Sequence, residues 1–394
     1  MTRSLREDAI DIWSAGVAAV DSARLVEAAI CRRGDEIQIA GESLRLSEID
    51  RIVVIGGGKA GAGMAAGFEQ ALGADVVDDR VSGWLNVPAD CVRTLRKIHL
   101  HAGRPAGVNE PTEQGVLGTV RILEMAASLT PRDLCIVLLS GGGSALLPAP
   151  IEGITLADKQ IVTRLLMQSG ATIDELNTVR SCLSQFKGGG LLRSLSAGRG
   201  VALIISDVVN DPLPVIASGP TVNVFPNPTV ALQILHQLVS PTSIPANVLQ
   251  VLQRAATSDQ RPSSAALPPF RNVIIGNNQT AIDAAALRAA ELNYRVARQT
   301  TNERGIARDI GRDLAEQSLE WRTHRTTGRG WCFLSGGEPV VQMVATTQPR
   351  KGGRNQELVL AAAERLWNEP LTGLAILSGG TDGEDGPTDA AGAV

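Results

Sequence analysis

The stretch RIVVIGGGKAGAGMAAGFEQAL (residues 51–72) decides how the chain is read. Its first half is a short apolar run, 51–55, that breaks into three glycines. Its second half is alanine-rich and keeps a helical spacing to about Leu72. A strand, a glycine turn and a helix in that order open a βα unit. The pattern then repeats. Apolar runs also end in glycine or small polar residues at VLLSGGGSA (137–145), LIISDVVND (203–211), VIIGNNQT (273–280), CFLSGGEP (332–339) and AILSGGTDG (375–383). Runs that are apolar throughout and alternate with helices predict parallel sheets covered on both faces.

Further strands are expected near 81–86, 95–100, 134–139, 201–205, 272–275, 294–298, 330–334, 339–344 and 373–377. Helical patterns cover 4–30, 111–128, 155–169, 172–186, 279–292, 304–320 and 354–367. Ser4 with Glu7 has the spacing of a capping box. The segment TSDQRPSSAALPPF (257–270) is rich in proline and serine and reads as a linker. The predicted architecture is α/β with two domains, 1–260 and 268–394, each a mainly parallel sheet covered by helices. The larger N-terminal domain is Rossmann-like. The chain stops at Val394 as another strand begins, which suggests a C-terminal domain that is incomplete as given.

Composition narrows the function. Of 394 residues, 41 are glycine, and the net charge is −4. There is no basic excess to draw in a phosphate backbone, which argues against nucleic acid. Five Trp, one Tyr and five Phe are too few for base-stacking platforms. No apolar run has the length of a membrane span. The five cysteines, at 31, 91, 135, 182 and 332, form no CxxC pair and suit reduced core thiols in a cytoplasmic protein. His99 and His101 are the only close histidine pair, and no third ligand stands beside them. The N-terminus has acids by position 7 and no apolar segment of a leader peptide.

In open α/β sheets ligands bind beyond the carboxyl ends of the strands, where glycines let backbone N–H groups approach an anion. Six such strand ends predict a phosphate or nucleotide cleft. Candidate phosphate-cradling residues are Gly56, Gly57, Gly58, Ser140, Gly141, Gly142, Gly143 and Ser144, with Gly336, Gly337 and Glu338 at a later strand end. Lys59, a lysine inside a glycine turn, belongs beside bound phosphates. Asp207, Asp382 and Asp385 lie in strand-end turns and suit Mg²⁺, which takes one or two carboxylates plus phosphate oxygens. Each of these acids could equally fold back on its own backbone. Asn177, Arg180, Ser184 and Lys187 fall on one helical face, and Arg354 follows two glycines at a helix start, where its fork can grip a carboxylate or phosphate.

Seven motifs resemble the glycerate 2-kinase family with its MOFRL-type C-terminal domain. They are GGGKAG (56–61), SGGGSALLPAP (140–150), ATIDELNTVRSCLSQFKGGGL (171–191), SDVVNDPLPVIASGPTV (206–222), SGGEPVVQ (335–342), GGRNQEL (352–358) and SGGTDGEDGPTDAAGA (378–393). Members have often been labelled hydroxypyruvate reductases. The resemblance implies ATP- and Mg²⁺-dependent phosphorylation of D-glycerate at its 2-hydroxyl, in the cleft between two α/β domains; a homodimer is kept as a candidate assembly. It places the motif lysine on Lys59 and the C-terminal arginine on Arg354. Lys59, Arg354 and Asp207 are then the expected catalytic residues, and Asn177, Arg180 and Lys187 the substrate-binding ones. The sequence departs from the family at Arg104, where many members carry a histidine, and at Ser181, where a second basic residue is common. The family's final C-terminal segment is absent from it.

Two other readings compete. Gly56-x-Gly58-x-x-Gly61, with Asp78 or Asp79 as the ribose-binding acid, would fit an NAD(P)-dependent hydroxypyruvate reductase. A sensor of nucleotides or organic acids would bind without turnover.

Overall fold

The computed structural model describes residues 3–257, 267–323, 329–342 and 351–394. It divides into two compact units. One is Ser22–Ile275; the other joins Met1–Asp21 to Gly276–Val394.

The centre of Ser22–Ile275 is a six-stranded sheet. Its order is Ile98–Arg104, Val81–Pro88, Ile52–Gly57, Leu134–Leu139, Arg199–Ile205 and Phe270–Gly276. The first five strands pair in parallel. Ile52–Gly57 and Leu134–Leu139, the two most apolar runs, lie in the middle with every residue buried. Apolar side chains cover both faces. Met64, Phe68 and Leu72 of the helix Gly61–Leu72 pack on one side, and Ile122, Phe186 and Leu191 on the other. The helices Leu156–Gln168, Ile173–Cys182, Pro228–Leu238 and Ala246–Thr257 build a further core with residues such as Val162, Leu176, Leu235 and Leu252. A small antiparallel meander, Ile30–Arg33, Glu36–Ile39 and Glu42–Arg45, precedes the main sheet.

In the second unit Arg295–Glu303 and Trp331–Gly337 pair in parallel, and Ser378–Gly379 pairs antiparallel with Gly392–Ala393. The helices Asn278–Glu291, Ala307–Thr323 and Arg354–Arg365 accompany them. The N-terminal helix Leu5–Ala19, capped by Ser4 and Glu7 as expected, belongs here. Its Asp11 holds Arg288 at 2.7 Å, its Asp8 accepts from the Tyr294 hydroxyl, and Trp13 Nε1 donates to the Gly379 carbonyl.

Several expectations need correction. The helix read over 4–30 stops at Ala19 and restarts at Ser22, and Ile30 already belongs to the meander. The strand near 272–275, placed in the second domain, is the edge strand of the six-stranded sheet. The helix over 172–186 ends at Cys182. The apolar segment 373–377 finds no partner strand among the described residues; the short strand begins only at Ser378. Of the strand expected over 339–344, Val340 bridges to Ile306, and its end at 343–344 lies outside the described residues. Most of the expected linker, 258–266, also lies outside them.

Candidate active site

The glycines of 56–58 serve the sheet first. Gly56 and Gly57 are strand residues, and Gly58 has φ +147°, open to glycine alone. A Cβ on Gly58 would strike Ser140, and one on Gly56 the Leu138 backbone. The Gly58 N–H donates to the Asn86 carbonyl at 3.1 Å, and the Lys59 N–H to the Gly141 carbonyl at 2.8 Å. These N–H groups are committed to protein, which corrects the expectation that Gly58 helps to cradle phosphates. The loop's contribution is instead to press residues 138–141 against Lys59. Ser140 takes part in this, since its Oγ accepts from the Ala60 N–H at 3.1 Å.

The turn at 141–144, after the central strand Leu134–Leu139, gathers the chemistry. Gly142 is left-handed (φ +76°), and a Cβ there would lie 3.2 Å from Lys59 Cγ and 3.4 Å from Arg104 Nη2. A Cβ on Gly141 would overlap the Asp207 carboxylate. A lysine, an arginine and an aspartate from three strand ends therefore converge on two glycines. Gly143 donates to the Ser140 carbonyl within the turn. Among the described residues the backbone N–H groups of Gly141, Gly142 and Ser144 have no carbonyl partner. Arg104 is buried; it donates through Nη1 to the Val108 carbonyl, and its Nε has no hydrogen-bond partner among the described residues.

A polar chain runs from the other end of the turn. Ser144 Oγ lies 2.5 Å from Ser218 Oγ, which donates to Asn177 Oδ1 at 3.3 Å. Lys187 Nζ donates to the Ser144 carbonyl at 2.7 Å and to its hydroxyl at 3.1 Å. Ser218 stands at φ +63°, an uncommon conformation for serine and a cost accepted where a side chain must be aimed. Asn177 and Arg180 share a helix, but Ser184 and Lys187 lie past its end, so the expected single face is not formed. Lys187 is buried, not solvated: burial, with Arg180 and Lys159 nearby, holds its amine well below the usual lysine range. Lys159, which the sequence reading missed, sits in the same group.

The other predicted residues belong to the second unit. Arg354 opens the helix Arg354–Arg365, and its Nη1 is 3.0 Å from Glu338 Oε1. Glu338 is thereby an ion-pair partner, and its N–H donates to the Glu303 carbonyl. Gly336 packs on Asn278 and Gly337 on the Glu303 backbone, where side chains would clash. Asp385 is buried, and both its oxygens are taken. Oδ1 accepts from the Asn355 N–H (2.9 Å) and Nδ2 (3.1 Å), and Oδ2 from the Gln356 N–H (2.8 Å). It caps the Arg354 helix, so its assignment as a metal ligand is corrected. Asp382 Oδ1 accepts from the Glu384 N–H at 3.2 Å, as an acid folded on its own turn does.

Among the described residues no group of three His, Cys, Asp or Glu side chains could hold a metal ion. Asp207 alone, beside the 141–144 turn, still fits Mg²⁺, which keeps water and phosphate oxygens as its other ligands. His99 and His101 stack along Trp84, with ring centroids 4.1 and 5.3 Å from its own. The reductase reading loses its ribose acid. Gly57 pairs with Asn86 at the carboxyl ends of their strands, whereas Asp78 and Asp79 lie in the helix Ala74–Arg80 that leads into Val81, at the amino end of the same strand, where Asp78 pairs with Arg96. No helix of the described residues is long and apolar enough to cross a membrane.

Comparison with known proteins agrees with this layout. Residues 8–253 match the model of a "domain of unknown function (DUF4147)", and residues 331–394 match the MOFRL family. A glycerate kinase of Danio rerio is 36% identical over 444 aligned residues, covering 99% of this chain and 87% of the relative. A glycerate 2-kinase of Pyrococcus horikoshii is 33% identical, covering 99% and 85%. The crystal structure of a glycerate kinase from Thermotoga maritima superposes with a TM-score of 0.78 at 31% identity, covering 98% of this chain and 86% of that one. With motifs, fold and relatives all in agreement, the chain belongs to the glycerate kinase family, whose C-terminal part is the MOFRL domain.

Proposed function

We propose that this chain is a glycerate 2-kinase that moves the γ-phosphoryl group of ATP to the 2-hydroxyl of D-glycerate. The observation that carries the reading is the convergence of Lys59, Arg104 and Asp207 on Gly141 and Gly142 in a member of this family. Phosphoryl transfer asks a protein for position and charge more than for covalent help. The N–H groups of Gly141, Gly142 and Ser144 receive phosphate oxygens, and Lys59 balances the charge that develops on the transferred group. Arg104 gives the same end of the turn a second cation. Mg²⁺ would be held by Asp207 and would neutralise the β and γ oxygens.

Asn177, Arg180 and Lys187 hold the acceptor. Arg354 is already in an ion pair with Glu338, so the acceptor carboxylate is assigned to Arg180 and Lys187, and Arg354 positions Glu338. The protein is read as cytoplasmic; light scattering on the purified chain decides between monomer and homodimer.

The test is an incubation with ATP, Mg²⁺ and D-glycerate, with the product isomer identified by ³¹P NMR and an NADH assay on hydroxypyruvate run in parallel. 2-Phosphoglycerate is expected. 3-Phosphoglycerate, or NADH oxidation without phosphoryl transfer, overturns the reading.

A further inference from the structure

Lys159 stands on the helix Leu156–Gln168, on the same inward face as Leu156, Val162 and Leu166. It is only 7% exposed, and its Nζ is buried with no hydrogen-bond partner among the described residues. A charged amine in such a place is expensive unless something compensates it. Its charged neighbours worsen the cost. Arg180, from the helix Ile173–Cys182, repels it, and both repel Lys187, which is 2% exposed. Among the described residues no carboxylate is among the charges that shift any of the three. Elsewhere in the same unit arginines are matched: Arg51 holds buried Asp133 at 2.6 Å, and Arg32 holds Asp75 at 2.6 Å.

Three gathered cations without an anion describe a site whose counter-charge arrives with a ligand. We propose that Lys159, Arg180 and Lys187 form an oxyanion subsite that takes the carboxylate of the acceptor, with Lys159 as a specificity-determining residue. The proposal rests on reading the acceptor as D-glycerate. A carboxylate fits better than a donor phosphate for a positional reason. Lys187 is tied to Ser144, whereas Lys59, Arg104 and Asp207 gather at Gly141 and Gly142. The hydroxyl of Ser218 and the amide of Asn177 border the Ser144 end, where a 2-hydroxy acid needs polar partners. Burial, then Arg180, pulls the Lys159 amine down to about 7. A bound carboxylate favours the charged form and draws a proton back onto it.

Wild type, Lys159→Met and Lys159→Gln are compared by steady-state kinetics and thermal melting. The expected result is a rise of about tenfold or more in KM for D-glycerate, with KM for ATP within about twofold. Lys159→Met should also melt above wild type, because an uncompensated buried charge is gone. In wild type, KM for D-glycerate should climb as pH rises through about 7, and this climb should weaken in both variants, in which Lys187 is the lysine left to titrate. A rise in KM for ATP instead of D-glycerate overturns the proposal, and so do unchanged KM values. Lower melting temperatures in both variants with KM for D-glycerate unmoved make Lys159 structural and overturn it equally. A wild type that makes no phosphoglycerate refutes the functional reading; an active wild type with indifferent variants refutes the subsite.

Discussion

The cations of this chain fall into two kinds of setting. Arg354 in the second unit is matched by Glu338, and the helix that it opens is capped by the buried carboxylate of Asp385. Lys159, Arg180 and Lys187 in Ser22–Ile275 are more sheltered than Arg354, and among the described residues no acid is among the charges acting on them. In the first setting the protein finishes its own electrostatics, and the result is architecture. In the second it leaves the account open, and the result is a place for an anion. Glycine-rich strand ends occur in both units, so glycine alone does not tell them apart; the balance of charge around each glycine does.

The difference can be broken most forcefully at Lys59. Lys59→Met should cut turnover by about 10²-fold or more with the fold intact, because the lysine stands at the turn that is read as holding the transferred phosphoryl group. Turnover near normal would remove Lys59 from the mechanism. In the finished setting the effect should be of the opposite kind. Asp385→Ala strands the Asn355 and Gln356 N–H groups at a buried helix start and should cost about 2–3 kcal/mol in chemical denaturation. An unchanged denaturation midpoint would show that the cap does not carry that helix.

The third test uses pH. The folded-state pKa of Lys159 is lowered to about 7 from an unfolded value of 10.5. Between those values the unfolded chain binds more protons, so this residue makes the folded state more stable as pH rises. The melting gap between Lys159→Met and wild type should therefore be widest below pH 7 and close towards pH 10. A gap independent of pH would mean that the amine is not charged and buried. The smallest effect belongs to Glu338→Gln. Both partners of that ion pair are partly exposed, so stability should move by less than about 1 kcal/mol, and KM for D-glycerate by less than about twofold. A larger change in stability or in KM would show that the pair does more than balance charge at the surface of its own unit.

Much of the α/β architecture was legible because it is written locally. The runs at 52–57 and 134–139 are apolar and end in glycine, and buried parallel strands need only that. What escaped was written at long range. Nothing in residues 1–21 announces that Asp11 will meet Arg288 or Trp13 the Gly379 carbonyl. The run at 373–377 is as apolar as the strands, but pairing depends on a neighbour that periodicity does not reveal.

The site was legible by class and less so by role. Glycines 56–58 and 141–143 look alike in sequence. Only contacts show that Gly58 donates to Asn86 while the 141–144 turn keeps N–H groups in hand. The aspartates of TDGEDG likewise separate only once Asp385 is seen with both oxygens engaged. Lys159 did carry a signal. It shares its helix face with Leu156, Val162 and Leu166, and a lysine on an apolar face is out of place unless it meets an anion.

The most direct test is a crystal structure of the chain with a non-hydrolysable ATP analogue, Mg²⁺ and D-glycerate. Phosphate oxygens should lie within hydrogen-bond distance of the Gly141, Gly142 and Ser144 N–H groups, with the glycerate carboxylate among Lys159, Arg180 and Lys187. A polyphosphate bound at another glycine turn, with 141–144 empty, would contradict the account.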